Sequence, residues 1–152
     1  MSQQNRFVSR SVVIGAPRRE VFELLAQPAR HADFDGSGSV KGRLRGPARL
    51  DRGSRFGMRM RILVPYTIRN EVVEFEEGSL IGWRHIGHHV WRYQLEDAPL
   101  GDGSTGTRVT ETFDWSTARS PLAIEKAGLD RRNTTSIEKT LVRLKALAEG
   151  KS

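Results

Sequence analysis

The 152 residues include 25 lysines and arginines against 18 aspartates and glutamates, which gives a formal net charge of +7 and a pI of about 10.5. Cysteine is absent, which excludes disulfides, thiolate metal sites and thiol nucleophiles. The length fits one domain, residues 1–152, and no apolar run is long enough to span a bilayer. We therefore expect a cytoplasmic protein that does not insert into membranes.

The chain opens with a strand and two short helices. Residues 6–14 are rich in β-branched side chains and predict the strand. Pro17 predicts the start of a helix, because proline has no backbone N–H to lose in a first turn. Pro28 predicts the end of that helix, and a second helical turn is expected to run to Phe34.

From about residue 39 the chain reads as a series of short strands. Turn signals fall at 63–65, 77–78, 86–88 and 101–106. Strands joined by so few residues must pair antiparallel, because a parallel crossover needs a dozen or more residues. The sequence therefore predicts an antiparallel meander.

The turn lengths predict the register of this meander. The expected cross-strand pairs are Phe56–Val72, Met58–Asn70, Met60–Ile68, Ile62–Tyr66, Val72–Trp83, Asn70–His85, Ile81–Tyr93, Trp83–Trp91 and His85–His89. Val73, Phe75 and Leu80 break the alternation, and we expect them to form a small apolar cluster near one hairpin tip.

This register divides the side chains between two faces. The inward face is apolar and collects Phe56, Met58, Met60, Ile68, Val72, Ile81, Trp83, Trp91, Tyr93, Leu95, Val109, Phe113 and Trp115. The other face is charged, because arginines alternate with the apolar residues. Such alternation favours a solvated sheet face over a nucleic-acid-binding patch, since no block of basic residues occurs.

A long helix closes the chain. Asp130 is a candidate cap, and Ile137, Leu141, Leu144 and Ala148 form an apolar stripe at helical spacing. An apolar sheet face has to be covered, and this helix is the long element left to cover it. A twisted sheet that curls around one helix gapes at one end, where a ligand could bind.

The residues that would line such a cavity are mostly apolar, with a few polar groups among them. The candidate ligand-binding residues are Phe56, Met58, Met60, Tyr66, Ile68, Asn70, Trp83, His85, Trp91, Tyr93, Glu111, Phe113, Asn133 and Ile137. No catalytic residue is assigned, and the best candidate is His85, because an unperturbed histidine pKa lies near neutrality.

Two polar positions allow a simpler structural interpretation. Asn70 and His85 either face a ligand or bond to each other in a filled core. Glu111 is expected to reach the rim or pair with an arginine, because buried carboxylates are uncommon. His85, His88 and His89 are close in sequence, but adjacent strand residues point to opposite faces, so no metal site is predicted. No cofactor is predicted.

The order of elements resembles the helix-grip fold of the START and birch-pollen-allergen superfamily. The resemblance covers residues 9–149, and within that superfamily the chain is similar to bacterial polyketide cyclase/dehydrase and lipid-transport-type (SRPBCC) proteins. It is carried by the segments Ser11–Phe22, Asn70–Phe75, Ile81–Arg84, Gly106–Trp115 and Thr140–Leu144. The resemblance implies an α+β fold in which a curved antiparallel sheet of about seven strands wraps a long C-terminal helix.

Three functions remain open at this point. The resemblance implies binding or carriage of a small hydrophobic molecule, such as a lipid, a quinone or an aromatic polyketide. An alternative is a cyclase or dehydratase that uses the polar residues of the cavity, with His85 as the acid–base group, Asn70 orienting it and Tyr66 or Glu111 assisting. The third is a basic interaction module for a ribosome, a nucleic acid or a protein, motivated by the net charge.

Overall fold

The computed structural model describes residues 5–37, 40–61, 63–85 and 87–150, with the backbone alone for 42–45. The elements in chain order are β1 (Phe7–Ile14), α1 (Arg18–Ala26), a 3₁₀ turn (Pro28–Arg30), α2 (His31–Phe34), β2 (Val40–Arg45), β3 (Arg55–Arg61), β4 (Pro65–Glu76), β5 (Leu80–Arg84), β6 (Val90–Pro99), β7 (Thr105–Asp114), α3 (Pro121–Lys126) and α4 (Leu129–Ala148). The predicted strand, two short helices, meander and final helix are confirmed, but the predicted cap Asp130 lies in the first turn of α4, whose N-cap is Gly128.

The strands of the described chain form one antiparallel sheet in the order β1-β7-β6-β5-β4-β3-β2. The sheet curls around α4, whose side chains Ile137, Leu141 and Leu144 are at most 3% exposed. The predicted apolar stripe of this helix is therefore the surface that meets the sheet. None of the helices in the described ranges is long and apolar enough to cross a bilayer.

The predicted register is confirmed for the β5–β6 hairpin and, between β4 and β5, for the pair Val72–Trp83, whereas nearer the turn Glu76 pairs with Leu80. Trp83 lies opposite Trp91, and Ile81 lies opposite Tyr93, as the 86–88 turn predicts. Val72 lies opposite Trp83. Three central strands therefore present to α4 the faces that the alternation predicts.

The predicted register between β3 and β4 is wrong by two residues. Met58 lies opposite Ile68 rather than Asn70, because Pro65 already pairs with Arg61. A shift of two residues leaves every side chain on its original face, so alternation in the sequence cannot detect it. The partner predicted for Ile62 concerns a residue outside the described ranges.

A β-bulge at Val73 changes the second half of β4. The register shifts between Val72 and Glu74, so that Phe75 lies opposite Ile81. Phe75 thereby reaches the inner side and packs edge-on against the ring of Phe22 at 5.7 Å. The expected cluster at the hairpin tip is therefore wrong for Phe75, which joins the core.

The loop after α2 is held close against α4. The backbone N–H of Gly36 donates to Oγ1 of Thr140 at 2.8 Å. A β-carbon at Gly36 would lie 2.5 Å from the backbone nitrogen of Thr140, so a side chain does not fit there without a shift. This contact sets one wall of the space between the sheet and the helix.

Candidate functional site: a pocket between the sheet and the C-terminal helix

A pocket of about 330 Å³ lies between the inner face of the sheet and α4. Its walls come from α2 and the loop after it, from strands β2 to β7 and from the first half of α4. The lining is mostly aromatic and aliphatic, with polar groups at a few points, which is typical of sites for small molecules.

Twelve of the fourteen predicted residues line this pocket. They are Phe56, Met58, Met60, Tyr66, Ile68, Asn70, Trp83, His85, Trp91, Tyr93, Glu111 and Asn133. Phe113 and Ile137 lie instead in the packed core, with 1% and 0% of their surface exposed. Whether the twelve contact a ligand remains a prediction.

An aromatic group forms the floor of the pocket around Trp83. The ring of His31 stacks on Trp83 with 5.0 Å between centroids, and Phe56 and Tyr93 each lie 5.7 Å from Trp83. His31 Nε2 lies 2.8 Å from the carbonyl oxygen of Leu25, so its N–H donates to that oxygen. Burial lowers the pKa of His31 to about 4, and the imidazole is neutral at pH 7.

Sequence reasoning missed the part of the pocket that α2 contributes. His31, Phe34 and Asp35 line the pocket although they lie far from the strands in sequence. The sequence feature that could have indicated this contribution is the glycine in the loop after α2, because it lets that loop approach α4 closely. Arg132 of α4, which was not predicted either, also lines the pocket.

Glu111 is buried in the pocket wall. The hydroxyl of Tyr93 donates to Glu111 Oε2 at 2.8 Å, and the glutamate is 3% exposed. Burial raises the pKa of Glu111 well above its usual value, and the nearby charge of Asp35 raises it further, whereas the hydrogen bond from Tyr93 opposes the shift. The expectation of a rim position or an arginine partner is wrong, since within the described chain no arginine forms an ion pair with Glu111.

Asn70 and His85 both line the pocket at the end of the β4–β5 ladder. The filled-core alternative, a hydrogen bond between them, is not formed among the described residues, and Asn70 Oδ1 is buried without a partner there. His85 packs instead against His89, with 4.7 Å between the rings. Burial, and to a smaller extent the electrostatic effect of His89, lowers the pKa of His85 to about 3. The expected pKa near neutrality, which made His85 the best candidate for an acid–base group, is therefore wrong.

Three buried polar atoms of pocket-lining residues have no hydrogen-bond partner among the described residues: Asn70 Oδ1, His89 Nδ1 and Glu111 Oε1. Buried polar atoms are normally paired, and an unpaired one costs about 1–3 kcal/mol. The wall of the pocket therefore contains, beside its apolar groups, three buried polar atoms that no described protein group satisfies. Across the described ranges, no group of three histidine, aspartate or glutamate side chains is placed to hold a metal ion.

A curled antiparallel sheet around a long C-terminal helix, with a pocket between the two, defines a helix-grip domain. Comparison with known families agrees with this class. The chain belongs to the polyketide cyclase/dehydrase and lipid transport family, whose sequence profile matches residues 7–149.

Individual relatives give the same picture. The chain is 39% identical over 142 residues to the uncharacterized protein Rv0088 of Mycobacterium tuberculosis, a match that covers 90% of the chain and 62% of that protein. The chain thus spans 62% of the length of the curated relatives it matches.

Among solved structures, protein Ms6760 from Mycobacterium smegmatis superposes with a TM-score of 0.68 at 16% identity, over 96% of this chain and 95% of that one. The Polyketide_cyc-like protein Cgl2372 from Corynebacterium glutamicum gives a TM-score of 0.62 at 20% identity, over 97% and 94%. These two likenesses show the fold.

Proposed function

We propose that this protein binds a small hydrophobic molecule in the pocket between the sheet and α4. The observation that carries the proposal is the combination of an aromatic wall with three unpaired polar atoms, on Asn70, His89 and Glu111. Filling an apolar pocket removes apolar surface of the ligand from water, at about 25 cal/mol per Å². The polar atoms would orient a ligand that carries hydroxyl or carbonyl groups on its apolar body.

The charge state of the pocket supports a neutral ligand body. Burial keeps His31 and His85 uncharged at pH 7, since their pKa values fall to about 4 and about 3. Burial also favours the protonated form of Glu111, which then both donates and accepts a hydrogen bond. A hydroxyl or carbonyl group meets such surroundings at a lower desolvation cost than an ion does.

Titration of the purified protein with long-chain alcohols, quinones, aromatic polyketides and 1-naphthol tests the proposal. Trp83 and Trp91 line the pocket, so we expect a bound ligand to change the tryptophan fluorescence and to raise the melting temperature. Ser136→Phe, at a pocket-lining position of α4, should abolish these changes. Thr135→Phe, one residue earlier and exposed, is the matched control and should retain them. No response to any of these compounds would refute the proposal.

A second function has one specific observation in its favour. The Tyr93–Glu111 pair places at the wall of an apolar pocket a carboxyl whose pKa burial raises, and a raised pKa is how proteins keep a carboxylic acid available as a proton donor. In an enzyme of cyclase or dehydratase type, Glu111 would protonate a substrate oxygen, and Tyr93 would position it. If so, Glu111→Gln should bind an aromatic polyketide normally yet fail to convert it; unchanged conversion would exclude this role.

A further inference from the structure

A second cavity opens the sheet next to the pocket. The ladder between β4 and β5 begins at Glu71–Arg84, so residues 65–70 of β4 extend beyond the end of β5. A cleft of about 790 Å³ occupies this split between β4 and the hairpin that joins β5 to β6. In a continuous sheet the next strand would pair with the free edge of residues 65–70, so the sheet is interrupted here.

The cleft and the pocket share part of their walls. Both are lined by the side chains of Phe56, Ile68, Asn70 and His85. The remaining lining of the cleft includes residues of the outward face, so the cleft and the pocket adjoin from opposite sides of the sheet at these four residues. A ligand lying in the split would reach both.

The cleft carries a strong excess of positive charge. Arg55, Arg69, Arg84 and Arg119 line it, and Glu71 is the single acidic residue among its described lining. Glu71 is shared by Arg55 at 3.9 Å and Arg84 at 3.5 Å. Within the described ranges Arg69 and Arg119 form no ion pair, and both are exposed.

Other arginines of the same sheet face are neutralised by acidic neighbours. Arg92 lies 2.6 Å from Glu74 and 3.2 Å from Asp114, and Arg108 lies 3.9 Å from Glu96. Arg59 and Arg61, on β3 of the same face, are exposed and also form no ion pair among the described residues, so the unpaired charge at the split continues along β3. Arginine binds carboxylate and phosphate groups through paired N–H donors, and such charge-assisted bonds are stronger than neutral ones.

We propose that the ligand is an anionic amphiphile whose carboxylate or phosphate head lies in the arginine-lined cleft and whose apolar part passes through the split into the pocket. This inference rests on the proposed function, because it needs the pocket to accept the apolar part. Arg69 on β4 and Arg119 beside the β5–β6 hairpin hold the head group from opposite walls of the cleft. The backbone N–H of Arg119 donates to the carbonyl oxygen of Gly87 at 2.8 Å, and its guanidinium lies 3.2 Å from Nε2 of His88. These two contacts fix the second wall to the hairpin.

The test uses three ligands that share one chain and differ in the head group: dodecanoate, dodecyl phosphate and dodecanol, each below its micelle concentration. We expect at least one anion to bind about tenfold more tightly than dodecanol, because hydrogen bonds to charged groups are worth more than neutral ones. Comparison of dodecanoate with dodecyl phosphate then distinguishes the two head groups. Binding of the anion should weaken as salt is added, and binding of dodecanol should not.

The double variant Arg69→Gln/Arg119→Gln should lose this preference and bind the anions about as weakly as dodecanol. The matched control is Arg59→Gln/Arg108→Gln, which removes the same charge from the same sheet face outside the cleft, and it should behave as the wild type. Equal affinity of the wild type for the three ligands, or equal loss in both double variants, would overturn the inference and leave the pocket proposal intact. Failure of all three to bind while another compound of the first titration binds would do the same; failure of every compound in both titrations would overturn both proposals.

Discussion

The hydroxyl of Tyr93 lies 2.8 Å from Oε2 of Glu111, and the two side chains are 4% and 3% exposed. They sit opposite each other on β6 and β7, so the sheet register itself holds them together. A buried carboxyl with one hydrogen-bond donor and one oxygen unpaired among the described residues is costly in a packed interior. This pair therefore links the stability of the fold to the chemistry of the pocket.

Tyr93→Phe should destabilise the protein by about 1–3 kcal/mol, because it leaves Glu111 Oε2 buried without its donor. Urea unfolding at pH 7 measures this free energy. The control is Tyr66→Phe, whose ring is 37% exposed, and it should change the free energy of unfolding by less than about 0.5 kcal/mol. Equal losses in the two variants would show that the Tyr93 bond contributes nothing.

Glu111→Gln should become more stable relative to the wild type as the pH rises. The pKa of Glu111 is raised in the folded protein, so the folded state loses stability as the pH climbs above the unfolded value of 4.5 and the carboxyl ionises. Glutamine stays neutral and still accepts the hydrogen bond from Tyr93. Urea unfolding between pH 4 and pH 8 should show a difference that grows with pH.

Glu138→Gln is the comparison for that profile, because it removes one carboxylate whose side chain is 56% exposed. A Glu111→Gln difference that is independent of pH, or one that shrinks as the pH rises, would contradict a raised pKa of the buried Glu111.

His31→Phe should reduce the loss in free energy of unfolding that the wild type shows as the pH falls below 7. Burial lowers the pKa of His31 to about 4, so the unfolded chain binds the proton first and the folded state loses stability as the pH falls from 6.5 towards 4. The loss is about 1.4 kcal/mol per pH unit in that window. Phenylalanine retains the stacking on Trp83 and cannot be protonated, so the variant should lose less stability than the wild type between pH 7 and pH 5. Parallel profiles would contradict a buried neutral imidazole.

Ile137→Ala should cost about 2–5 kcal/mol, because the side chain is fully buried where α4 meets the sheet and its removal leaves a cavity. Val142→Ala, on the same helix with 68% of the residue exposed, should cost less than about 0.5 kcal/mol. Thermal unfolding of the two variants distinguishes the faces of α4. A large loss at Val142 would mean that this exposed face is covered in solution.

The sequence by itself determined which side of each strand faces α4. Side-chain alternation is a local property with a period of two residues, so the positions of Trp83, Trp91 and Tyr93 along their strands are enough to place them on the inner face. The stripe of α4 follows in the same way from the helical period. Twelve of the lining residues follow from these two patterns together.

The tertiary structure decided the strand register and the long-range contacts, which side-chain alternation leaves undetermined. A shift of the strand register by two residues leaves every side chain on its face, so the alternation does not fix the β3–β4 register; in the structure Pro65 pairs with Arg61. The bulge at Val73 moves Phe75 to the inner face. The burial of Glu111 and the position of His31 depend on which distant segment covers each side chain. Such contacts join residues far apart in the chain, and a local sequence pattern carries no information about them.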